Sequence, residues 1–227
     1  MAAAQRKNNK GPNWFAIWIS VAAVVVIVGV GALVVWMNSV ASQPAVAPAA
    51  SNVDTETGAV TFGDGANTVD TYIDFMCPYC GQFEAAEGAK IQDLVESGDI
   101  TLNVHPVAIL DRLSQGTEYS SRAAGAFYSV AAADPDNAYA YMTALFVNQP
   151  SENTAGLSDE ELVSLARDAG VDVTAELEDS ILSGEYKAFA KEQKLPEGAT
   201  GTPTLIVNGE TVQVTFNPQA DIVSRLK

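Results

Sequence analysis

Only two cysteines and one histidine occur among the 227 residues. Two cysteines are too few for a disulfide scaffold. With a single His they also fall short of the four ligands that a structural zinc site takes, so no metal is expected. Positive charge is scarce as well: 12 Lys and Arg face 28 Asp and Glu, for a net charge of −16. All the acids lie beyond residue 53, whereas Arg6, Lys7 and Lys10 precede residue 11. A surface this acidic repels phosphate backbones and anionic headgroups, which argues against nucleic acid as a partner and against ionic attachment to membranes. There is no internal repeat, and residues 11 to 53 carry no charged side chain at all.

Inside that uncharged stretch, Trp14 to Met37 is an apolar run of 24 residues. At about 1.5 Å per residue a helix of this length covers roughly 36 Å, enough for a hydrocarbon core of about 30 Å. Trp14, Trp18 and Trp36 stand near its two ends, where interfacial aromatics are expected. A cleaved signal peptide is the competing reading, since Ser39-Val40-Ala41 and Ala45-Val46-Ala47 resemble cleavage sites, but a signal peptide's apolar core is about 7 to 15 residues. An uncleaved anchor is therefore expected over 14–37, behind a basic tail at 1–13. The positive-inside rule puts that tail in the cytoplasm and the rest outside the cell membrane. Residues 38–57, rich in Ala, Ser and Pro, read as a tether.

From residue 58 the pattern is that of one α/β domain. Strands are expected at 58–62 and 68–75, then a Cys77-Pro78-Tyr79-Cys80 motif, a helix over 82–97 stopped by Gly98, and a strand at 100–107. The order β, α, β implies a crossover and a parallel pair. A helical insertion is expected over about 111–195. Its breaks fall at Asp134-Pro135, at Pro150, at Gly170 after a Ser158/Glu161 capping box, and at Gly184 after a cap at Thr174. Strands at 203–207 and 211–216 flank Asn208-Gly209, a type I′ hairpin signal, and Pro218 opens a closing helix to Leu226.

The cysteine spacing carries the chemistry. With Pro78 at the first helical position, Cys77 caps the helix and Cys80 lies one turn in on the same face, within bonding reach. Free backbone N–H groups and the positive end of the helix dipole then favour a Cys77 thiolate, an effect that takes such cysteines to a pKa of roughly 3.5 to 7.5. A disulfide made with a good leaving thiolate is readily attacked by another thiol. His105 reads as a structural histidine, and a purely structural Cys77–Cys80 bridge would close too small a loop to stabilise much.

Tyr72-Ile73-Asp74-Phe75-Met76-Cys77-Pro78-Tyr79-Cys80 resembles the active-site strand and loop of DsbA-like proteins of the thioredoxin superfamily. Gly201-Thr202-Pro203-Thr204-Leu205 resembles the cis-proline loop of the same superfamily. The resemblance spans about 58–227 and implies a thioredoxin-like fold with a helical insertion, following one transmembrane helix. It implies that Cys77 and Cys80 are catalytic, that Pro78 and Tyr79 tune their redox chemistry, and that the Thr202–Pro203 bond is cis, with Thr202 pairing an extended substrate. It also implies exported thiol proteins as substrates, no cofactor, and reoxidation by a quinone-linked membrane partner. Two departures stand out. Thr71 occupies the place, six residues before the first cysteine, where many relatives have a buried acid, which leaves Asp74 as the acid for a proton path; and the Pro-Tyr dipeptide is similar to that of glutaredoxins. A dithiol oxidase is the expectation, with a membrane-tethered reductase or isomerase, or a non-catalytic binding module, as alternatives. Phe75 and Met76 are either core residues or, with Tyr79, an apolar surface for substrates.

Overall fold

The structure, a computed structural model, describes residues 14–41 and 45–227, so the basic tail at 1–13 lies outside the described residues. Two units are separate. The first contains helix α1 (Trp14–Ala41), which runs four residues past the apolar stretch. Every described side chain of α1 is exposed. Its described side chains beyond Trp14 span 17–33, and among the described residues no helix is long and apolar enough to cross a membrane.

The second unit begins at Ala45. Much of the expected tether thus belongs to the domain: Pro48 is buried, Val53 pairs with Val60, and the Asn52 amide donates to Ala131 O at 3.0 Å. Small Ala and Pro side chains let this segment lie flat, and its backbone groups are satisfied by the strand beside it, with Thr61 N donating to Asn52 O.

Five strands form one sheet in the order β1 (Val60–Phe62), β3 (Ile100–Pro106), β2 (Asn67–Ile73), β4 (Thr204–Val207), β5 (Glu210–Val212). The expected parallel pair is β2 with β3, in register from Asn67 opposite Ile100 to Ile73 opposite Pro106; the other pairings are antiparallel. Strand β2 is central. It turns Val69, Thr71 and Ile73 into the core, and strictly alternating burial fixes its register. The Asn208-Gly209 turn has φ of 51° and 82°, the left-handed pair that a type I′ hairpin needs.

The helix after the cysteines is not uniform. Helix α2 (Pro78–Phe83) passes through a π-helical turn (Glu84–Gly88) into α3 (Ala89–Glu96). That wider turn resets the phase of the buried face. Ala86, a core position at plain helical spacing, is exposed, while Glu87 and Gly88 are buried.

The insertion comprises a 3₁₀ turn at Asp111–Leu113 and then α4 (Tyr119–Ala133), α5 (Ala138–Val147), α6 (Asp159–Asp168), α7 (Ala175–Ser183) and α8 (Lys187–Glu192). The Ser158/Glu161 capping box is formed in both directions, and Gly184, at φ 66°, separates α7 from α8. Helix α4 starts at Tyr119, after Glu118 in the left-handed region at φ 56°. Helix α4 is buried nearly all round, and Phe127 meets Phe75 edge-on at 5.8 Å, joining the insertion to the sheet in one core. At the end of the chain, β5 stops at Val212 and helix α9 (Pro218–Asp221) stops well before Leu226. Both are cut short by Asp221, whose buried carboxylate takes the Thr215 N–H and hydroxyl, each at 2.6 Å, and so pulls that segment out of the sheet.

Candidate active site

Strand β2 delivers the chain to the motif, and α2 starts where sequence places it. Pro78 is its first residue and Cys77 the N-cap, with Cys80 N–H donating to Cys77 O at 2.9 Å. The two thiols are unlinked. Cys77 lies across from the cis Thr202–Pro203 bond, and its Sγ–H donates to Thr202 O at 3.3 Å. So residues 125 apart in sequence meet at one sulfur.

The cysteines differ in kind. The Cys80 thiol donates to Cys77 and, against the cost of burial, holds its pKa down at about 6, with lesser help from Thr202 and the backbone N–H groups of Cys80 and Tyr79. Burial pushes the Cys80 thiol up, and the hydrogen bond and charge of Cys77 push it further. The two shifts favour a thiolate at Cys77 and a thiol at Cys80. Tyr79 projects from the motif with 60% of its surface exposed. Phe75 and Met76 are fully buried and belong to the core, so of the three apolar residues only Tyr79 faces outward. An open groove of about 620 Å³ runs past Gly201, Pro203 and Thr204.

Asp74 is completely buried. Burial raises its pKa to about 6, although Ser120, Met76 N and Leu110 N all donate to its carboxylate, at 2.7, 2.8 and 2.9 Å. It ties the motif loop to the insertion. Sequence gives no sign of Gln149, whose Nε2 donates to Phe75 O at 3.1 Å and Cys77 O at 2.9 Å. Gly81 makes that clamp possible, because a Cβ there would stand 2.5 Å from Gln149 Oε1. Thr71 is buried on β2 and borders, with Cys80 and Glu84, a small internal cavity. His105 is remote from the thiols: it stacks on Tyr72 at 4.1 Å and contacts Asp70 Oδ1 and Thr57 O. It is a structural residue of the sheet.

This sheet, dithiol helix and cis-proline loop define a thioredoxin-like dithiol protein. The family described as Thioredoxin matches residues 58–222, and the chain belongs to it. Among solved structures, DsbA from Mycobacterium tuberculosis is 33% identical with a TM-score of 0.62, the likeness covering 69% of this chain and 85% of that one. The disulfide bond oxidoreductase DsbG of the same organism is 34% identical with a TM-score of 0.63, over 76% and 81% of the two chains. MdbA of Actinomyces oris, a thiol-disulfide oxidoreductase at 22% identity and a TM-score of 0.60, shares the fold. The serine/threonine-protein kinase PknE of M. tuberculosis is 35% identical over 112 residues, 48% of this chain. That match covers 20% of PknE, so the chain spans about a fifth of the length of the curated relatives it matches.

Proposed function

We propose that the chain is a membrane-tethered thiol:disulfide oxidoreductase acting outside the cytoplasm, and that it works as a dithiol oxidase on exported proteins. The observation that carries this reading is the asymmetry of the pair: Cys77 held near pKa 6 at a helix N-terminus, Cys80 raised and buried behind it. Cys77 and Cys80 are the catalytic residues. A substrate thiolate attacks Cys77 Sγ of the oxidised enzyme, the Cys77–Cys80 bond breaks and Cys80 leaves. A second substrate thiolate then attacks the substrate sulfur of the mixed disulfide, releasing Cys77 as thiolate. The substrate is oxidised by two electrons, the enzyme is reduced by two, and no cofactor is required. Thr202 lends its backbone to the bound segment beside Pro203, while Pro78 and Tyr79 set the electronic and steric surroundings of Cys77. A quinone-linked membrane protein fits the need for a terminal oxidant.

The anchor is part of the same proposal. Supporting it are the 24-residue apolar run, the exposure of every described α1 side chain, and the basic residues on one flank only. Carbonate-resistant membrane fractionation of the full chain, with the domain digested by protease added outside the cell, is the expected behaviour.

Direction of transfer is tested by the reduction potential of the full chain in detergent, equilibrated with glutathione buffers. A low-pKa thiolate stabilises the reduced state, so a value near about −120 mV is expected; one near about −270 mV would replace oxidase by reductase.

A further inference from the structure

The groove beside the active-site loop is lined by residues of the 196–204 segment and by Thr211 of β5. It is continuous with the reactive sulfur. Gly201 and Pro203, both in its lining, flank Thr202, whose carbonyl accepts from the Cys77 thiol at 3.3 Å. Among the described residues that line it there is no Leu, Ile, Val, Met or aromatic side chain. Parts of the wall are bare backbone, since a Cβ at Gly198 or Gly201 would meet no atom within 4 Å. Across the motif, Phe75 and Met76 are fully buried and only Tyr79 faces outward. A bound segment therefore finds little apolar surface to cover, and hydrophobic contact does little to choose among substrates. Hydrogen bonds to the segment's main chain are the same for every sequence. Charge is what remains to discriminate.

Glu197 is the one charged residue in that lining, and it is exposed. No hydrogen bond or ion pair holds its side chain among the described residues. Lys194, the nearest cation in sequence, does not line the groove, and Glu210, next to Thr211, adds charge of the same sign. The surroundings point the same way, with 28 Asp and Glu against 12 Lys and Arg in the chain. A substrate thiolate that approaches this face is repelled. A cation beside the substrate's cysteine offsets that repulsion and also keeps more of the cysteine ionised.

We propose that Glu197 makes this groove select substrate segments that carry a lysine or arginine within a few residues of the reacting cysteine. The inference rests on the thiol-exchange reading above and adds the class of substrate to it: cationic segments in preference to apolar ones. The exchange itself is unchanged. Two substrate thiols become a disulfide, and their two electrons reduce the Cys77–Cys80 bond.

The test offers oxidised full-length protein, in zwitterionic detergent, reduced dithiol peptides that differ only in the residue beside one cysteine: lysine, leucine or glutamate. Acid-quenched samples read by mass spectrometry give a second-order rate for each. Every rate is divided by that of the same peptide with hydroxyethyl disulfide, an uncharged reference that removes the peptide's own reactivity. Wild type is expected to prefer lysine to leucine and leucine to glutamate, by roughly two- to fivefold at each step, the reach of one exposed charge pair. Added salt shrinks the spread. Glu197→Gln narrows it, and Glu197→Lys closes or inverts it. A change in the dithiol's own reactivity scales all three peptides alike, so only charge at the groove reorders them. Equal rates in wild type, a fastest rate with leucine, or an unchanged spread in Glu197→Lys overturns the proposal. Failure of wild type to oxidise any of the peptides removes the exchange reading itself, and this inference with it.

Discussion

The two ends of the active-site helix handle charge in opposite ways. At the N-terminal end, Cys77 is given backbone N–H groups, the Cys80 thiol and a water-facing neighbour in Tyr79, and it is held at a pKa of about 6. Two turns on, the π turn carries acids inward. Burial raises Glu84, and Glu87, with none of its surface exposed, is pushed up to about 8 by burial and by Asp221. One end stabilises an anion, and at the other burial favours the neutral form of an acid. What separates them is less than three turns of helix, so the difference comes from where the backbone dipoles point and from which side faces the core.

Removing the anion at the open end has the largest consequence. Cys77→Ser is expected to abolish disulfide exchange, whereas Cys80→Ser retains the first attack and accumulates a mixed disulfide that gel electrophoresis without reductant displays. In the reduced wild type, alkylation with iodoacetamide should titrate near pH 6 for Cys77 alone. The sign for stability follows. Cys77 has a depressed folded pKa, so the reduced form gains stability as pH rises between about 6 and the unfolded cysteine range near 8.5, and loses it as pH falls through about 6. Urea midpoints of the reduced protein against pH measure this, and a flat profile would argue that the helix N-terminus does not hold the thiolate.

At the closed end the sign is reversed. Neither carboxyl oxygen of Glu87 has a hydrogen-bond partner, and burial and the Asp221 carboxylate raise its pKa to about 8, which favours the protonated acid at neutral pH. A raised folded pKa contributes stability that is whole below about pH 4.5 and is lost as pH climbs through about 8. Glu87→Gln keeps the shape and supplies a permanent donor. Wild type should therefore lose up to about 1.4 kcal/mol per pH unit relative to this variant between those limits, and the two should coincide in acid. A variant less stable than wild type at pH 8 would mean that Glu87 has some other partner.

The local half of this architecture was legible in the sequence. Pro78 at the first helical position, the Ser158/Glu161 box, the Asn208-Gly209 turn and the stop at Gly184 are each written within a few residues, and each is formed. The cis peptide at Thr202–Pro203 was legible only through resemblance. The rest was not, for two physical reasons. A π turn adds one residue to a helical turn without any residue type that announces it, so plain helical spacing does not show that Glu87 is buried and Ala86 exposed. Gln149 and Ser120 reach the motif from 74 and 46 residues away, and nothing local marks either as a partner of Phe75 O or of Asp74.

Gln149 offers the smallest and most selective way to disturb the open end. Its single amide group spans Phe75 O and Cys77 O, but Cys77 O also accepts from the Cys80 and Gly81 N–H groups, so losing the amide leaves only Phe75 O short of a donor. Gln149→Leu is close in size and is expected to cost about 1–3 kcal/mol in the thermal or urea midpoint, the usual range for one orphaned buried polar group. Because the backbone N–H groups that favour the Cys77 thiolate come from α2 itself, the alkylation midpoint should move far less than stability does. A shift of that midpoint to the range of a free thiol, with stability intact, would show instead that Gln149 and not the helix end sets the geometry on which the thiolate depends.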